Sequence, residues 1–249
     1  MIKKNFLTLN HKNKNIVNDA RGIIKNFFGK SEDYYRDLDF ENFRLICARA
    51  QDKLNEENFT LKIFNQLKEK IFLILNTEKI LIQSNLYLRA SRTSNLNPYD
   101  YIDFHRESFY GSGLIKCKNI WTPIKGVNDK NTLNYIPKSH FVKNKDIKIS
   151  KKKSEIIKRF SNGHKTGLLY KSAKIKNSKF INLNLKKKMM VPYFSSSMFE
   201  GQLIHGAAKN TSKFTRFSLD FRIIKKSDYN SKFFMKKKFA SKKTYFIEL

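Results

Sequence analysis

The sequence Tyr101-Ile-Asp-Phe-His105-Arg-Glu107 places an imidazole and a carboxylate two positions apart. Side chains at i and i+2 of a β-strand point to the same face, so His105 and Glu107 would face one way if this stretch is a strand. One imidazole and one carboxylate are two ligands of a 2-His-1-carboxylate site, which holds Fe(II) and leaves positions open for substrate and O₂. The third ligand would come from a distant histidine, and His205 in Gly201-Gln-Leu-Ile-His205-Gly is our candidate.

A single His-x-Glu pair is a weak signal, because a chain with five histidines and 21 acidic residues can contain one by chance. The rival ligands are His140, three residues after Pro137, and His164, in Asn162-Gly-His164-Lys. We interpret His140 as a residue that structures its loop. We interpret His164 as a loop histidine, with a contact to substrate as the alternative. His11 has no supporting sequence context.

A second polar constellation lies eleven residues after His205, in Arg216-Phe-Ser218-Leu-Asp-Phe-Arg222-Ile. In a strand, the aromatic and aliphatic residues of this segment share one face and the four polar residues share the other. An arginine and a serine at i and i+2 can bind one carboxylate together, the guanidinium as a two-pronged donor and the hydroxyl as an extra donor. The alternative is a half-exposed strand with a solvated polar face and an Asp220–Arg222 ion pair.

The hydrophobic pattern predicts helices first and strands afterwards. Apolar residues recur at helical spacing from residue 16 to 28, from 40 to 54 and from 61 to 72, with a break near Asn58. From residue 79 the period shortens to two. Predicted strands, separated by turns rich in Asn, Gly and Pro, lie at 80–89, 101–109, 114–121, 132–136, 178–184, 189–194, 197–204 and 214–223.

This order of elements predicts one domain over residues 1–249, an all-β core with flanking helices (α+β) in which the helices pack on one face of a barrel or sandwich. We assign residues 1–78 to a helical part that backs the sheet, 79–224 to the β core and 225–249 to a basic C-terminal tail. The lysine runs within 143–190 and 225–243 indicate solvated loops and a frayed tail. For residues 143–177 the alternative is a lid over the substrate.

The formal charge of +30 arises from 51 basic against 21 acidic residues. Such a surface attracts nucleic acids, anionic membranes or acidic substrates. However, lysine outnumbers arginine by 41 to 10 and the chain has 25 asparagines, a composition that AT-rich codons produce. Nucleic-acid readers rely on arginine for its fork geometry, and the chain has no RNP-like, helix-turn-helix or zinc-finger pattern. We therefore interpret the charge as genome bias, with anionic partners such as phosphorylated or nucleotide-linked substrates as the alternative.

The sequence also bears on the cellular compartment. No run approaches the roughly 18 uninterrupted apolar residues of a membrane helix. The N-terminus lacks the apolar region of about 7–15 residues of a signal peptide. The two cysteines, Cys47 and Cys117, form no CxxC and no zinc spacing, and we expect buried thiols. These features predict a cytoplasmic protein without a membrane span.

The order of the motifs resembles that of the phytanoyl-CoA dioxygenase-like branch of the Fe(II)/2-oxoglutarate oxygenases. The shared elements are an H-x-D/E pair, a Trp strand, a Pro-x-Ser-His segment, a distal histidine and an arginine about eleven residues later. In this chain they are His105-Arg-Glu107, Trp121-Thr-Pro-Ile, Pro137-Lys-Ser139-His140, His205 and Arg216. The resemblance spans roughly residues 80–224.

The resemblance implies a double-stranded β-helix (jelly-roll, cupin-like) with N-terminal helices packed on one sheet and iron at its mouth. It implies that His105, Glu107 and His205 ligate Fe(II) and that Arg216 holds the distal carboxylate of 2-oxoglutarate, with Ser218 as a weaker helper. Further candidates for substrate contact are Tyr87, Arg89, Arg92, Arg106 and Asn134. For the three arginines, ordinary surface salt bridges are the alternative. We expect Trp121 in the core, with a place in the pocket wall as its alternative.

Three departures from the family pattern bear on these expectations. The acid is Glu107 where Asp is commoner, and its longer arm can still reach a metal. Lys138 replaces the usual Gly, which predicts a different turn. Ala207 stands where many relatives carry a hydroxyl, so Ser218 or an upstream residue becomes more necessary. Related halogenases lack the carboxylate, so an intact acid favours hydroxylation or a related oxidation.

These features together predict an Fe(II)- and 2-oxoglutarate-dependent oxygenase of a biosynthetic pathway. It would hydroxylate or otherwise oxidise a small, anionic or sugar-derived metabolite with O₂. Two alternatives stay open from the sequence. One is a basic nucleic-acid-binding protein without catalysis, in which the His-x-Glu pair is incidental. The other is a 2-oxoglutarate oxygenase that acts on nucleic acid or protein.

Overall fold

Helices occupy the N-terminal part of the chain, in a computed structural model that describes residues 4–29, 36–93, 100, 102–150, 174–230 and 245–248. They are α1 (Asn15–Phe28), α2 (Phe40–Glu56) and α3 (Phe59–Leu75). The Asp39 carboxylate accepts a hydrogen bond from the backbone N–H of Asn42 at 2.9 Å and so caps the start of α2. Asn58, with a left-handed φ of 56°, separates α2 from α3. The helices and the break near Asn58 agree with the sequence prediction.

The strands form a large antiparallel sheet, a small antiparallel sheet and a two-stranded ribbon. Their bounds are β1 (Leu7–Asn10), β2 (Ile80–Gln83), β3 (Tyr87–Ser91), β4 (Lys118–Lys125), β5 (Leu133–Tyr135), β6 (Ile149–Ser150), β7 (Lys174–Ile175), β8 (Lys187–Lys188), β9 (Ser195–Glu200), β10 (His205–Ala207), β11 (Arg216–Lys225) and β12 (Phe246–Glu248). The large sheet has the order β1-β9-β4-β11-β2-β12, and β3 also pairs with β11. The small sheet has the order β10-β5-β8, and β6 pairs with β7 in the ribbon.

β11 is the strand around which the large sheet is built. It pairs with β4 on one side, and on the other side it pairs first with β3 and then with β2. Its alternation produces two different faces. The apolar face packs against the helices, and the rings of Phe217 and Phe28 have centroids 4.9 Å apart. The polar face consists of Arg216, Ser218, Asp220 and Arg222, and only Asp220 of these is not fully buried.

A second apolar core lies between the two sheets. Trp121 of β4 and Phe199 of β9 come from the large sheet, while Leu133 and Tyr135 of β5 come from the small sheet. Burying each large apolar side chain of this kind contributes about 1.5–3 kcal/mol. The small sheet is thereby held over the face of the large sheet that carries the polar residues of β11.

The structure corrects three strand predictions. The described part of 101–109 holds one isolated bridge at His105 and a 3₁₀ turn at Glu107–Phe109 instead of a strand. Residues 178–194 are all described. Residues 178–182, which were predicted as strand, precede the 3₁₀ turn Leu183–Leu185 and form no strand. The only strand in 178–194 is β8. Lysine and asparagine interrupt the apolar pattern of 178–184. In 189–194, Pro192 has no backbone N–H to donate to a neighbouring strand, and Phe194 has a left-handed φ of 63°.

Two short strands of the large sheet were missed by the sequence analysis. β1 lies in the part assigned to helices, and it pairs with β9 at Leu7 and Met198. β12 lies in the stretch predicted as a basic tail, and it pairs with β2 and buries Phe246. Strands of three or four residues are too short for a period of two to be recognised. The stretch 225–249 therefore contributes to the sheet at its end.

Several predictions fall outside the described residues. They concern His164, the larger part of the lid suggested at 143–177, and residues 231–244 of the tail. Across the part of the chain that the structure does describe, no helix has both the length and the apolar character needed to cross a bilayer. Cys47 and Cys117 are free thiols and both are buried, as expected.

Gly126 follows β4 at a point where the backbone leaves no room for a side chain. Its φ is +67°, and a Cβ there would lie 2.1 Å from the carbonyl oxygen of Thr215, the residue before Arg216. We expect Gly126→Ala to lower the free energy of unfolding by more than about 2 kcal/mol, since it combines backbone strain with a steric clash. Urea denaturation measures this loss.

The matched control is Gly22→Ala in α1, where nothing lies within 4 Å of an added Cβ. This change should raise the free energy of unfolding by about 0.5–1 kcal/mol, because alanine loses less backbone entropy in a helix than glycine. Similar losses at the two glycines would show that the close approach of Gly126 to Thr215 is unimportant.

His11 is a buried histidine whose titration should make stability depend on pH. Its Nε2 lies 2.8 Å from the Ser196 hydroxyl, which lies 2.7 Å from that of Thr122. Burial, with the nearby charge of Lys70, lowers the pKa of His11 from 6.5 to about 4. Between these pH values the unfolded chain binds a proton at His11 that the folded chain does not bind. The stability that neutral His11 contributes is therefore fully present above about pH 6.5 and is lost as the pH falls toward about 4.

We expect the free energy of unfolding to decline across that window and His11→Asn to remove part of the decline. Urea denaturation at several pH values between about 7 and 4 measures the slope in both proteins. A variant with the slope of the unmodified chain would contradict the role of His11, because the carboxylates that also titrate are common to both.

Candidate metal centre

Three potential metal ligands meet between the sheets: His105, Glu107 and His205. One ligand atom from each lies within 4.8 Å of the other two. The rings of the two histidines have centroids 4.4 Å apart. His205 Nε2 is 3.7 Å from Glu107 Oε1. The structure thus brings together the three residues that the sequence analysis proposed as ligands.

Backbone hydrogen bonds hold the two histidines side by side. The N–H of His105 donates to the carbonyl of His205 at 2.9 Å, and the N–H of His205 donates to the carbonyl of His105 at 3.0 Å. On its other side His205 pairs with Tyr135 of β5, so His105 extends the small sheet by one residue. The N–H of Glu107 donates to the carbonyl of Gly201 at 2.8 Å. The spacing of the ligands is therefore set by the main chain.

Arg106 explains how His105 and Glu107 point to the same side without a strand. Its backbone is extended, with φ of −132° and ψ of 157°, so its two neighbours point to the same side. Its own guanidinium donates to the carbonyls of Ser139 at 2.6 Å and Val142 at 2.9 Å. The alternation that the sequence argument required is present over this one residue.

The Pro-x-Ser-His segment supports the second histidine. The Ser139 hydroxyl accepts a hydrogen bond from the N–H of Ile204 at 2.8 Å, directly before His205. Lys138, which stands where the phytanoyl-CoA dioxygenase-like pattern has glycine, has a left-handed φ of 59°. This is a region that glycine adopts readily, so the backbone accommodates the departure with a glycine-like turn.

Each histidine presents the same nitrogen to the centre. His105 Nδ1 lies 2.8 Å from the carbonyl of Asp103, and His205 Nδ1 lies 2.8 Å from the carbonyl of Leu203. A carbonyl only accepts, so Nδ1 carries the proton in both rings and Nε2 keeps its lone pair. A backbone partner of this kind fixes the orientation of metal-binding imidazoles.

Burial keeps both imidazoles neutral. It lowers the pKa of His105 to about 3, with a further contribution from His205, and it also lowers the pKa of His205. A neutral imidazole is the form that binds a metal. The two rings therefore need to release no proton near neutral pH in order to act as ligands.

Glu107 is held as a carboxylate by its neighbours. Burial alone would raise its pKa, but the positive charge and hydrogen bond of Arg222 and the other neighbouring groups together outweigh burial, and the pKa falls to about 2. Arg222 Nε donates to Oε2 of Glu107 at 2.6 Å, and the amide of Asn119 donates to Oε1 at 3.0 Å. The site therefore offers two neutral nitrogens and one carboxylate oxygen.

Gly201 leaves the space that Glu107 occupies. A Cβ at this position would lie 2.6 Å from the sulfur of Cys117 and 3.2 Å from Cγ of Glu107. Glycine at this turn is thus required mainly by the close approach of Cys117, and Glu107 packs against the same position.

The proposed carboxylate-binding pair lies on the same polar face of β11. Arg216 is 3% exposed, and it donates through one terminal nitrogen to the carbonyl of Asn131 at 2.7 Å. Among the described residues, no hydrogen-bond partner lies near its buried Nε, near the buried hydroxyl of Ser218 or near the buried Nε1 of Trp121. Leaving a buried donor without a hydrogen bond costs about 1–3 kcal/mol. Three unused donors on neighbouring strands indicate a place for a polar ligand.

The alternative of a solvated polar face is wrong for β11. Asp220 pairs with Arg89, whose Nε and terminal nitrogen donate to the carboxylate at 2.6 and 3.2 Å. Arg222 pairs with Glu107, so the suggested Asp220–Arg222 pair is replaced by two other pairs.

The candidate substrate contacts separate into two groups. Arg89 and Tyr87 lie on the inner side of β3, opposite Ser218 and Asp220, and the guanidinium of Arg89 lies 4.8 Å from the ring of Tyr87. Arg92 is buried in an ion pair with Asp100 at 2.7 Å. Asn134 pairs with Gly206, so it faces away from the side of β5 that carries Tyr135. Arg106 is bound to its own loop, so Arg89 and Tyr87 are the two candidates whose strand positions pair with the polar face of β11.

The sequence analysis missed two residues, Asn119 and Arg222, whose side chains donate hydrogen bonds to the candidate ligand Glu107. The alternation of side chains along β11 places Arg222 on the same face as Arg216, and this sequence signal could have identified Arg222 as a site residue. Asn119 had no such signal, because its position depends on the register of β4 with β11, in which it lies opposite Arg222.

His140 is a rival ligand that the structure leaves outside the group. It lies in the 3₁₀ turn Ser139–Phe141, and its ring centroid is 4.0 Å from that of Phe141. The group of ligand atoms within 4.8 Å of one another does not include it.

Comparison with known structures shows which fold this chain has. EvdO2 from Micromonospora carbonacea var. aurantiaca matches with a TM-score of 0.58 at 13% identity, covering 91% of this chain and 90% of that one. EctD from S. alaskensis, with 2-oxoglutarate and 5-hydroxyectoine, matches with a TM-score of 0.51 at 11% identity, covering 91% and 74%. ThoJ, described as a non-heme monooxygenase, matches with a TM-score of 0.51 at 14% identity, covering 89% and 74%.

These similarities establish the class of fold. The chain has the jelly-roll architecture of non-heme oxygenases, and the predicted fold class is confirmed. No family model matches the sequence, and no curated protein does.

The ligand set can be tested by removing its members one at a time. We expect His105→Ala and His205→Ala each to lower the affinity for Mn(II) or Co(II) by at least about 100-fold, because each removes one of three protein ligands. Calorimetric titration of the metal-free protein measures the affinity.

The matched control is His140→Ala, which removes a buried histidine outside the group. Its metal affinity should stay within about 3-fold of the unmodified chain, a change of under 1 kcal/mol. A large loss of metal affinity in His140→Ala, or no loss in His205→Ala, would show that His205 is not the third ligand.

Proposed function

We propose that this chain is an Fe(II)- and 2-oxoglutarate-dependent oxygenase that hydroxylates or otherwise oxidises a small, anionic or sugar-derived metabolite. The observation that carries the proposal is the convergence of His105, Glu107 and His205 within 4.8 Å. Two imidazoles and one carboxylate form the facial set that suits Fe(II) and leaves positions open. Structures with this fold include EvdO2 complexed with 2-oxoglutarate, at a TM-score of 0.55 and 13% identity.

The unused donors of the inner face supply the place for 2-oxoglutarate. Arg216 Nε and the Ser218 hydroxyl would donate to its distal carboxylate, since charge-assisted hydrogen bonds from a guanidinium are the strong ones for this group. Nε1 of Trp121 is a third unused donor on the adjacent strand. Ala207 lacks the hydroxyl that many related sequences carry at its position, so Ser218 and Trp121 are the replacements that this chain offers.

Iron together with 2-oxoglutarate would supply the oxidising power drawn from O₂. The chain's own residues bind and orient the reactants. Burial keeps His105 and His205 neutral, Arg222 and Asn119 fix Glu107, and the apolar core between the sheets keeps water from the centre. His105 is the more exposed ligand, so the substrate approaches from its side.

The finer assignment to the phytanoyl-CoA dioxygenase-like branch is part of the proposal. It is supported by the order of the motifs and by the role of Ser139, which holds the backbone before His205. A nucleic-acid-binding protein without catalysis gives no reason for three potential ligands to converge, or for Arg216 to be buried with no carboxylate partner among the described residues.

The experiment is a titration of 2-oxoglutarate into the metal-loaded protein without oxygen. Trp121 is the single tryptophan of the chain, so its fluorescence reports directly on the pocket. We expect a saturable change in its emission, and then release of succinate when O₂ is admitted to the Fe(II) form. A folded protein that binds metal but neither binds nor consumes 2-oxoglutarate would refute the proposed function.

The role of Arg216 has a ligand-side control. Arg216→Gln should weaken 2-oxoglutarate binding by about 10- to 100-fold, because hydrogen bonds to charged groups contribute about 1.5–3 kcal/mol. Pyruvate has the same keto acid but no distal carboxylate, so its weaker binding should be unchanged by the substitution. Equal losses for the two keto acids would mean that Arg216 does not hold the distal carboxylate.

A further inference from the structure

Arg222 lies in contact with a metal ligand without being one. Its Nε donates to Oε2 of Glu107 at 2.6 Å, and the side chains of the two residues are 6% and 1% exposed. Two charges buried this deeply persist only where their geometry is good, because each alone would carry a large desolvation penalty. Oε2 of Glu107 is thus committed to Arg222.

The other oxygen of Glu107 has a different environment. Oε1 accepts a hydrogen bond from Asn119 at 3.0 Å and lies 3.7 Å from Nε2 of His205. A carboxylate oxygen can accept two hydrogen bonds or ligate while accepting one. The two neighbours therefore leave one lone pair of Oε1 on the side where the histidines converge.

We propose that Arg222 is a positioning residue that makes Glu107 a ligand through Oε1 alone. This inference rests on the proposed metal site. By holding Oε2, Arg222 prevents the long glutamate arm from turning both oxygens toward the metal. A carboxylate that used both would take up one of the positions that a chelating cosubstrate and O₂ need. The arginine thereby protects the open side of the centre.

The large sheet holds Arg222 in turn. The side-chain carbonyl of Gln83 accepts hydrogen bonds from a terminal nitrogen of Arg222 at 3.1 Å and from its backbone N–H at 3.2 Å. The amide of Gln83 donates to the carbonyl of Asn85 at 2.6 Å, which fixes its orientation. The ring of Tyr87 lies 5.4 Å from the guanidinium. Gln83 lies opposite Phe246, so β12 covers the position from outside.

The planar guanidinium is suited to this task in a way that an ammonium is not. One of its nitrogens serves Glu107 while another serves Gln83, at angles fixed by the plane of the group. A lysine in the same place could supply the charge to Glu107 but not the second, fixed contact. The two functions of Arg222, charge and orientation, can thus be separated by substitution.

The experiment compares Arg222→Gln and Arg222→Lys with the unmodified chain. Co(II) is titrated calorimetrically into metal-free protein, and its visible absorption reports the coordination number. We expect Arg222→Gln to weaken Co(II) binding by about 10- to 100-fold, as is typical when a partner of a ligand is removed. The visible absorption of the Co(II) bound to this variant should also change, because Oε2 of Glu107 becomes able to bind the metal. Arg222→Lys should recover part of the affinity.

Arg92→Gln is the matched control, because Arg92 is an equally buried arginine paired with a carboxylate, Asp100, at 2.7 Å. It should destabilise the fold without changing the Co(II) affinity or spectrum of the folded protein. Folded Arg222→Gln with the affinity and spectrum of the unmodified chain would overturn the proposal.

Two outcomes separate the levels of the argument. If the unmodified chain binds no divalent metal, the proposed function fails before Arg222 is tested. If Arg222→Gln does not fold, Gln83→Met decides, since it keeps the volume and removes the acceptor that orients Arg222. A smaller loss of Co(II) affinity with a shifted spectrum supports the positioning role, and an unchanged spectrum and affinity refute it.

Discussion

The centre depends on a pair of backbone hydrogen bonds between His105 and His205, residues 100 positions apart in the chain. Closing a loop of that length has an entropic cost that no side-chain contact at the centre would offset alone. The cost is met by the sheets, because β10 is already paired with β5 and the polar face of β11 already lies beneath it. Once the sheets are formed, the ligands are placed by the main chain and need only small adjustments of their side chains.

Burying the centre requires that its charges be balanced within the protein. Glu107 is paired with Arg222, and Asp220 is paired with Arg89. Each pair joins two elements: the first links the segment after His105 to β11, and the second links β3 to β11. Removing one partner of such a pair leaves an uncompensated buried charge, which is strongly destabilising. The pairs therefore specify how the elements meet, beyond any contribution to net stability.

The sequence predicted the parts of this structure that depend on local pattern. The three helices have long apolar stripes, and β11 has a clear alternation over its first eight residues, so both were visible. The three candidate ligands were proposed from residue types and spacing, and the structure brings them together, although the stretch around His105 is a bridge and a 3₁₀ turn. One extended residue, Arg106, is enough to point the side chains of His105 and Glu107 to the same side, so that prediction did not need a whole strand.

The parts that escaped prediction depend on pairing between distant segments. Whether β1 and β12 are strands is decided by the free edges of β9 and β2, which offer hydrogen bonds to almost any short segment that reaches them. Asn119 becomes a partner of Glu107 only because β4 and β11 pair in one register. A shift of one residue would turn Asn119 to the helices and Ile120 to the metal ligands. No local pattern in the sequence encodes that choice.

Among the described charges of the inner face, Arg216 is the one that the protein leaves unbalanced. Glu107 and Asp220 are committed to other arginines, and no carboxylate of the described residues forms an ion pair with Arg216. Burial lowers the pKa of Arg216 to about 10, still far above neutrality, so it remains charged. A buried cation without a partner is costly unless a ligand completes it. A carboxylate from outside would supply the missing charge and would accept a hydrogen bond from the hydroxyl of Ser218. This requirement connects the candidate metal ligands to the proposed acidic cosubstrate through the protein's own electrostatics.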